Sequence, residues 1–388
     1  MLSRSLAPTL QTALASFPVV LVGGPRQSGK TTFVRAAAPD RAYVTFDDPA
    51  ERVLAASDPA TFFGRFGDRP VTLDEFQHVP EVTGYLKLLV DRSRTPGRYL
   101  LTGAQRFSAM RTVSESLAGR VALLELLPFS LAELPRADAA EAVFVGGYPD
   151  PALHPERRDL WVRSYVATYL ERDVRLLGGV GDLRAFEQFV LLAAAVHGQE
   201  LNVAALARDV GVSQPTAKAW LGALVATYVV VLLPPWFRNY GKRVVRSPKL
   251  YFVDPILPTW GTRQPSAEAA LHGPMGGALF EGLIVLEAWK AFTERGRPPD
   301  LWFWRSNDGT EVDLLVRLPD GLLLVEVKRT ASPTATHAAP MAKVAALGAG
   351  DVLPRGVVVC DVPEERLLPG GHVALPWRQW PAWIRQRL

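Results

Sequence analysis

Gly24, Gly29, Lys30 and Thr31 stand in the stretch GGPRQSGKTT (23–32) at the spacing G-x-x-x-x-G-K-[ST], after the apolar run 17–22 and before a helix-like segment. In such a loop, backbone N–H groups and a helix N-terminus converge on a phosphate, and glycines are needed because a Cβ blocks that approach. Gly24, Pro25, Arg26, Gln27, Ser28, Gly29, Lys30, Thr31 and Thr32 are therefore expected to cradle a nucleotide. Lys30 would reach the terminal phosphates and the Thr31 hydroxyl a magnesium ion. A chance match in a turn is the competing reading, and four fixed positions in the right setting argue against it.

A second acidic signal follows about forty residues on. In RPVTLDEFQ (69–77) an apolar strand ends in Asp74 and Glu75. Asp74 is expected to hold the magnesium shell, and Glu75 to polarise the water that attacks the γ-phosphate. Adjacent acids at a strand end are common on plain surface, so the assignment leans on the upstream loop. A third strand, GRYLLTGAQ (97–105), ends in Thr102 and Gln105, the place for a γ-phosphate sensor. Arg120 is a candidate to stabilise transition-state charge, in its own subunit or in a neighbour's site, with Arg106 and Arg111 as competitors.

The rear of the chain carries another constellation. The segment 301–330 reads as three short strands interrupted by Asp313, Glu326 and Lys328, which are costly to bury without partners. The order Asp, twelve residues, Glu-x-Lys resembles the PD-(D/E)xK nuclease superfamily, which implies metal-binding acids and a lysine that orients water. Glu281, in the helix-like ALFEGLIVLEAWK, matches the acid of that core's first helix. A two-residue Asp320-Gly321 turn would set Asp313 opposite Lys328 and diagonal to Glu326, whereas a three-residue turn would slip the register by one. The plainer reading is a charged strand edge that resists aggregation.

Between these regions, residues 201–230 place Val203, Leu206, Ala207 and Val210 on one helical face, turn at Gly211 and restart at the N-cap Ser213. The second helix is expected over about 214–227, with Ala207 and Gly211 permitting a close crossing. This is a helix-turn-helix pattern. Strands near 229–233 and 250–254, joined by the basic segment FRNYGKRVVRSPK, look like a wing. Lys218, Arg238, Lys242, Arg243, Arg246 and Lys249 are the candidate DNA contacts. Winged helices also serve as lids or protein-docking faces, and Lys218 is the only cation of the recognition helix.

Composition sets the frame. The 388 residues are 48% apolar, carry a net charge of +4 and have a pI near 9.2, enough for two or three cores and no demand for nucleic acid. Cys360 stands alone, which excludes an internal disulfide and fits a reducing, cytoplasmic setting with the thiol in a core. No apolar run approaches the roughly twenty residues of a membrane helix. The first forty residues, without an acid until Asp40, could pass for a transit peptide, but cleavage near their end would remove the loop; residues 2–15 read as a helix on the core. Proline-rich stretches at 128–151 and 255–274 are the expected domain connections.

The order GPRQSGKTT, FDDP, LDEFQHVPE, LLTGAQRF, SESLAGR, LPFSLAEL, YLERDV, RSPKLYFVD, EVDLLV and VEVK resembles prokaryotic AAA-type ATPases that join an N-terminal ATPase to a C-terminal domain of unknown function, over nearly the whole chain. The resemblance implies an α/β protein: an AAA-type P-loop NTPase domain (1–135), a helical connector (136–195), a winged helix (196–256) and a small restriction-endonuclease-like α/β domain (257–388). It also implies ATP rather than GTP, Mg2+, hydrolysis through Glu75 and a homo-oligomer. Ala104 departs from the serine expected after LTG, leaving the sensor role to Thr102 or Gln105. The functional expectation is a DNA-associated ATPase with a possible Mg2+-dependent nuclease domain. The alternative is a nucleotide-driven protein-interaction switch whose nuclease-like fold is inactive.

Overall fold

The computed structural model describes residues 2–106, 117–170, 182–237, 247–346 and 351–388. It divides into two compact units: residues 1–128 with 226–228 and 293–297, and the remainder.

The first unit is built on five parallel strands, β1 (Val19–Gly23), β2 (Ala42–Thr45), β3 (Val71–Asp74), β4 (Tyr99–Gly103) and β5 (Val121–Glu125), in the sheet order β2-β3-β4-β1-β5. Every residue of β1 is buried, as expected of a strand covered on both faces. Alternation splits its side chains between two cores. Val20 and Val22 pack with Leu10 and Ala13 of α1 (Ala7–Ser16) and with Phe33 and Val34 of α2 (Lys30–Ala37). Val19 and Leu21 join Phe46, Phe62, Phe63 and Phe76, drawing in α3 (Pro49–Ser57), α4 (Pro59–Gly64) and α5 (Val82–Arg92). Phe62 is fully buried, and truncating such a ring to alanine costs about 3–5 kcal/mol. Parallel pairing sets the carboxyl ends of β1, β3 and β4 along one edge, and the placement of β4 between β1 and β3 brings Thr102 beside Asp74. Crevices outside the carboxyl ends of such strands are where α/β sheets bind ligands.

The second unit begins with α6 (Ala139–Val145), α7 (Pro149–Leu153), α8 (Arg158–Tyr165) and α9 (Leu183–Ala195). The helix pair α10 (Val203–Val210) and α11 (Gln214–Ala226) follows, then the antiparallel ribbon β6 (Val230–Leu233) and β7 (Lys249–Phe252). Asn202 caps α10 by accepting from Ala205 N–H, and the Ser213 hydroxyl accepts from Thr216 N–H at the start of α11. Gly211 differs from the expectation of a close crossing. It ends α10 in the left-handed region at φ +81°, and a Cβ there would meet nothing within 4 Å. The proline-rich stretches are not bare connections either. They hold α6, α7, α12 (Ile256–Gly261) and α13 (Ala267–His272), because proline is well tolerated in a first turn.

After α14 (Gly276–Thr293) come six strands: β8 (Leu301–Arg305), β9 (Glu311–Leu318), β10 (Gly321–Lys328), β11 (Val357–Cys360), β12 (Arg366–Leu367) and β13 (Val373–Pro376). They form a mixed sheet in the order β12-β13-β11-β10-β9-β8, with α15 (Ala335–Ala346) on one face and α16 (Trp380–Arg387) closing the chain. The β9–β10 turn is Pro319-Asp320, since Leu318 pairs with Gly321, so the register is two residues from the expected one. An even shift leaves every side chain on its face, and it brings Asp313 toward Glu326 rather than Lys328. β10 lies inside the sheet, which removes the strand-edge explanation for Glu326 and Lys328. Among the described residues, no helix is long and apolar enough to cross a membrane.

Candidate functional site

At the end of β1 the chain turns back over the start of α2. Gly24 passes so close to the Leu126 carbonyl that a Cβ would lie 2.2 Å from its oxygen, and Gly29 caps α2 at φ +89°. Both glycines are thus required by contact or conformation. Gln27 also lies in the left-handed region, at φ +60°. Ser28 is buried, and Lys30, 5% exposed, donates to the carbonyls of Gly24 (3.1 Å) and Pro25 (2.9 Å). Arg26 is half-buried at the loop rim and Thr32 is exposed.

The loop meets the acidic strand at one carboxylate. Asp74, 3% exposed, accepts from the Thr31 hydroxyl (2.9 Å) and the Tyr43 hydroxyl (2.7 Å) at Oδ2, and from the Thr102 hydroxyl at Oδ1. Thr102 Oγ1 in turn accepts from the Glu75 N–H at 3.0 Å. Glu75 itself takes a left-handed backbone (φ +56°), uncommon for its type and typical of functional sites, and its Oε2 accepts from Gln77. The expected set Thr31, Asp74, Glu75 and Thr102 is therefore assembled, and Thr102 works as a brace between the two acids. Gln105 lies half-buried just past β4.

Tyr43 was not singled out in the sequence. Its burial and its bond to Asp74 hold the phenol well above its ordinary pKa, so it donates rather than ionises. The only signal was an alternating strand one position away from the acidic one, which needs the strand order to read.

The arginines separate. Arg120 precedes β5 at the opposite end of the sheet from the loop, where it pairs with Asp91 at 2.6 Å; it does not serve its own subunit's site. Arg106 is committed to Glu125 (3.2 Å) and lies over the Tyr228 ring, 4.5 Å from its centroid. Arg111 lies outside the described residues.

The rear constellation also comes together. Asp313 Oδ2 accepts from Val327 N–H (2.8 Å) and Lys328 Nζ (3.0 Å), and Lys328 reaches Glu326 Oε2 at 2.8 Å. Glu326 is fully buried, and burial followed by the nearby Asp313 charge raises its pKa well above the carboxylate range. Glu281, on α14, accepts from Lys249 Nζ (2.7 Å) and the Tyr251 hydroxyl (2.5 Å), and burial raises it too. Ligand atoms of Glu281, Glu311 and Asp313 lie within 4.8 Å of one another. Glu311 was not anticipated, because its closeness depends on how β9 packs on α14.

Lys249 requires a correction. Expected to contact DNA, it is 3% exposed and ion-paired to Glu281 and Glu311. Burial opposes its charge, but the summed attraction of Glu281, Glu311 and Asp313 outweighs it and holds the ammonium above its ordinary pKa. Arg238, Lys242, Arg243 and Arg246 lie outside the described residues, while Lys218 is exposed on α11.

A parallel sheet of this strand order, with a phosphate loop after β1 and paired acids at the end of β3 two positions away, defines an AAA-type P-loop ATPase domain. In agreement, residues 16–135 match the AAA domain family. Residues 136–263 match a domain of unknown function, DUF8612, and residues 276–380 another, DUF4143. The chain as a whole belongs to the family of the uncharacterized proteins Rv2008c of Mycobacterium tuberculosis and Mb2031c of Mycobacterium bovis. It is 34% identical to each over 382 residues, covering 95% of this chain and 85% of theirs. Among solved structures it is similar to the Walker-type ATPase PABY2304 of Pyrococcus abyssi, at 15% identity, 67% and 96% coverage and a TM-score of 0.40. It is also similar to a point variant of RuvB from Thermotoga maritima, at 17% identity, 60% and 90% coverage and a TM-score of 0.32.

Proposed function

We propose that the chain binds ATP with Mg2+ and hydrolyses it, and that turnover drives work on DNA. The observation that carries the ATPase reading is the hydrogen-bonded set Thr31–Asp74–Thr102–Glu75 at the carboxyl edge of the parallel sheet. Two adjacent oxygens, Thr31 Oγ1 and Asp74 Oδ2, suit a hard cation, which when bound supplies charge neutralisation for the β- and γ-phosphates. Loop N–H groups and Lys30 hold the phosphates. Glu75, fixed through its own N–H, orients and polarises the attacking water. Arg120 is a candidate to complete a neighbour's site in an oligomer, since it cannot reach its own.

Support for DNA is the helix-turn-helix geometry of α10 and α11, which leaves Lys218 exposed. In this reading residues 196–256 form a winged helix, and Arg238, Lys242, Arg243 and Arg246 contact phosphates. Residues 257–388 form a PD-(D/E)xK-like domain whose Glu281, Asp313 and Glu326 hold Mg2+ beside Lys328. One observation favours the alternative of a protein-interaction switch with a silent nuclease-like fold: Lys249 is buried among the acids rather than presented to a ligand.

ATP hydrolysis measured with and without duplex and single-stranded DNA, with Lys30→Ala as the blank, tests the reading. DNA stimulation together with salt-dependent binding that weakens in Arg243→Ala/Arg246→Ala supports it. A Lys30-dependent rate indifferent to DNA refutes the DNA role and leaves the switch. Absence of a Lys30-dependent rate refutes the ATPase.

A further inference from the structure

Lys249 has an unusual place for a cation on a ribbon strand. Its Nζ bonds Glu281 at 2.7 Å and also pairs with Glu311, two of the three acids whose ligand atoms lie within 4.8 Å of one another. Cis oxygens around Mg2+ or Mn2+ stand roughly 3 Å apart and trans ones about 4.2 Å, at bond lengths of about 2.1 Å. The acids are thus spaced for a divalent ion after small side-chain adjustments, and the ammonium fills the space between two of them.

A second observation concerns the neighbouring acid. Glu326 is fully buried beside Asp313, and its Oε1 has no hydrogen-bond partner among the described residues. Four carboxylates, Glu281, Glu311, Asp313 and Glu326, face two ammonium groups, Lys249 and Lys328, with Arg305 at 3.8 Å from Glu311 on the exposed side. The oxygen-rich lining suits a divalent ion, but the position does not admit one while Lys249 is in place.

The geometry points to Lys249 as a built-in competitor of the metal: its ammonium plugs the acidic pocket of the rear domain, and a divalent ion binds there only when β7 withdraws the side chain. This inference rests on the metal-site reading above and adds a regulator to it. Because β7 is one strand of the β6–β7 ribbon, the plug and the proposed wing belong to one element, so movement of that ribbon is the step that opens the pocket.

The test uses the full, nucleotide-free chain, with Mn2+ binding followed by electron paramagnetic resonance. Asp313→Asn identifies the rear ion and separates it from any ion held near Thr31. Lys249→Met is expected to bind one Asp313-dependent Mn2+ at least tenfold more tightly than the wild type. Equal Asp313-dependent binding in both chains overturns the plug and leaves the metal site standing. No Asp313-dependent ion in either chain overturns both. Should Lys249→Met fail to fold by near-UV circular dichroism, the wild type decides. Saturating Mn2+ is expected to raise acylation of Lys249 by an amine-reactive ester at least fivefold by mass spectrometry, and an unchanged rate overturns the inference.

Discussion

Replacing Thr102 by valine removes a hydroxyl and keeps the shape of a side chain with no exposure. Two bonds disappear: the donation to Asp74 Oδ1 and the acceptance from Glu75 N–H at 3.0 Å. A hydrogen bond to a carboxylate contributes about 1.5–3 kcal/mol, and leaving the part-buried Glu75 N–H unmade costs about 1–3 kcal/mol, so the domain should lose roughly 2.5–6 kcal/mol. The catalytic effect is separate. That N–H anchors Glu75 in its left-handed conformation, so its loss lets the carboxylate swing away from the attacking water. A misplaced catalytic group of this kind costs on the order of 100-fold in rate. ATP turnover by a coupled assay should show kcat falling about 30- to 100-fold with KM for ATP changed less than about threefold, since the phosphate loop is untouched. Thr102→Ser, which keeps the hydroxyl, should restore most of the rate. A folded Thr102→Val chain with wild-type kcat would refute the brace, and a loss confined to KM would show that Thr102 contacts the nucleotide instead.

Gly24→Ala places a methyl 2.2 Å from the Leu126 carbonyl oxygen, a backbone atom that cannot rotate away, and should weaken binding of a fluorescent ATP analogue more than tenfold. Gly64→Ala, where nothing lies within 4 Å, should bind it normally. His197 is fully buried, and burial depresses its pKa to about 3. The unfolded chain then binds the extra proton first, so its contribution is fully present above the ordinary pKa near 6.5 and is lost on acidification. At pH 5 the loss is about 2 kcal/mol. Urea unfolding at pH 7 and pH 5 should therefore show a stability difference about 2 kcal/mol smaller in His197→Gln than in the wild type, and equal differences would refute the assignment.

The nucleotide-binding edge was legible because its information is local: glycine positions, a lysine and two acids, each tied to a strand end that apolar runs announce. The helix pair was legible for the same reason, with Ser213 as the cap of its second helix. The rest depends on contacts between distant segments. Tyr43 reaches Asp74 only because β2 pairs with β3, and Thr102 becomes a brace only because β4 is inserted between β1 and β3. The turn at Pro319-Asp320 could not be chosen from its residues, since both two-residue alternatives keep the same faces buried.

Lys249 shows the limit most clearly. In a basic segment it reads as one more phosphate contact, and composition alone favours that. Its neighbours on β7, Leu250, Tyr251 and Phe252, are fully buried, so the strand start is carried into the interior regardless of the charge it bears. A buried ammonium is tolerated only with counter-charges, and Glu281 from α14 and Glu311 from β9 supply them across long sequence separations. Removing either partner strands a charge, whereas a divalent ion could take over both carboxylates at once. That asymmetry is why the same three acids can be read as a structural clasp or as a metal pocket, and why Lys249, rather than any acid, is the residue whose replacement separates the two.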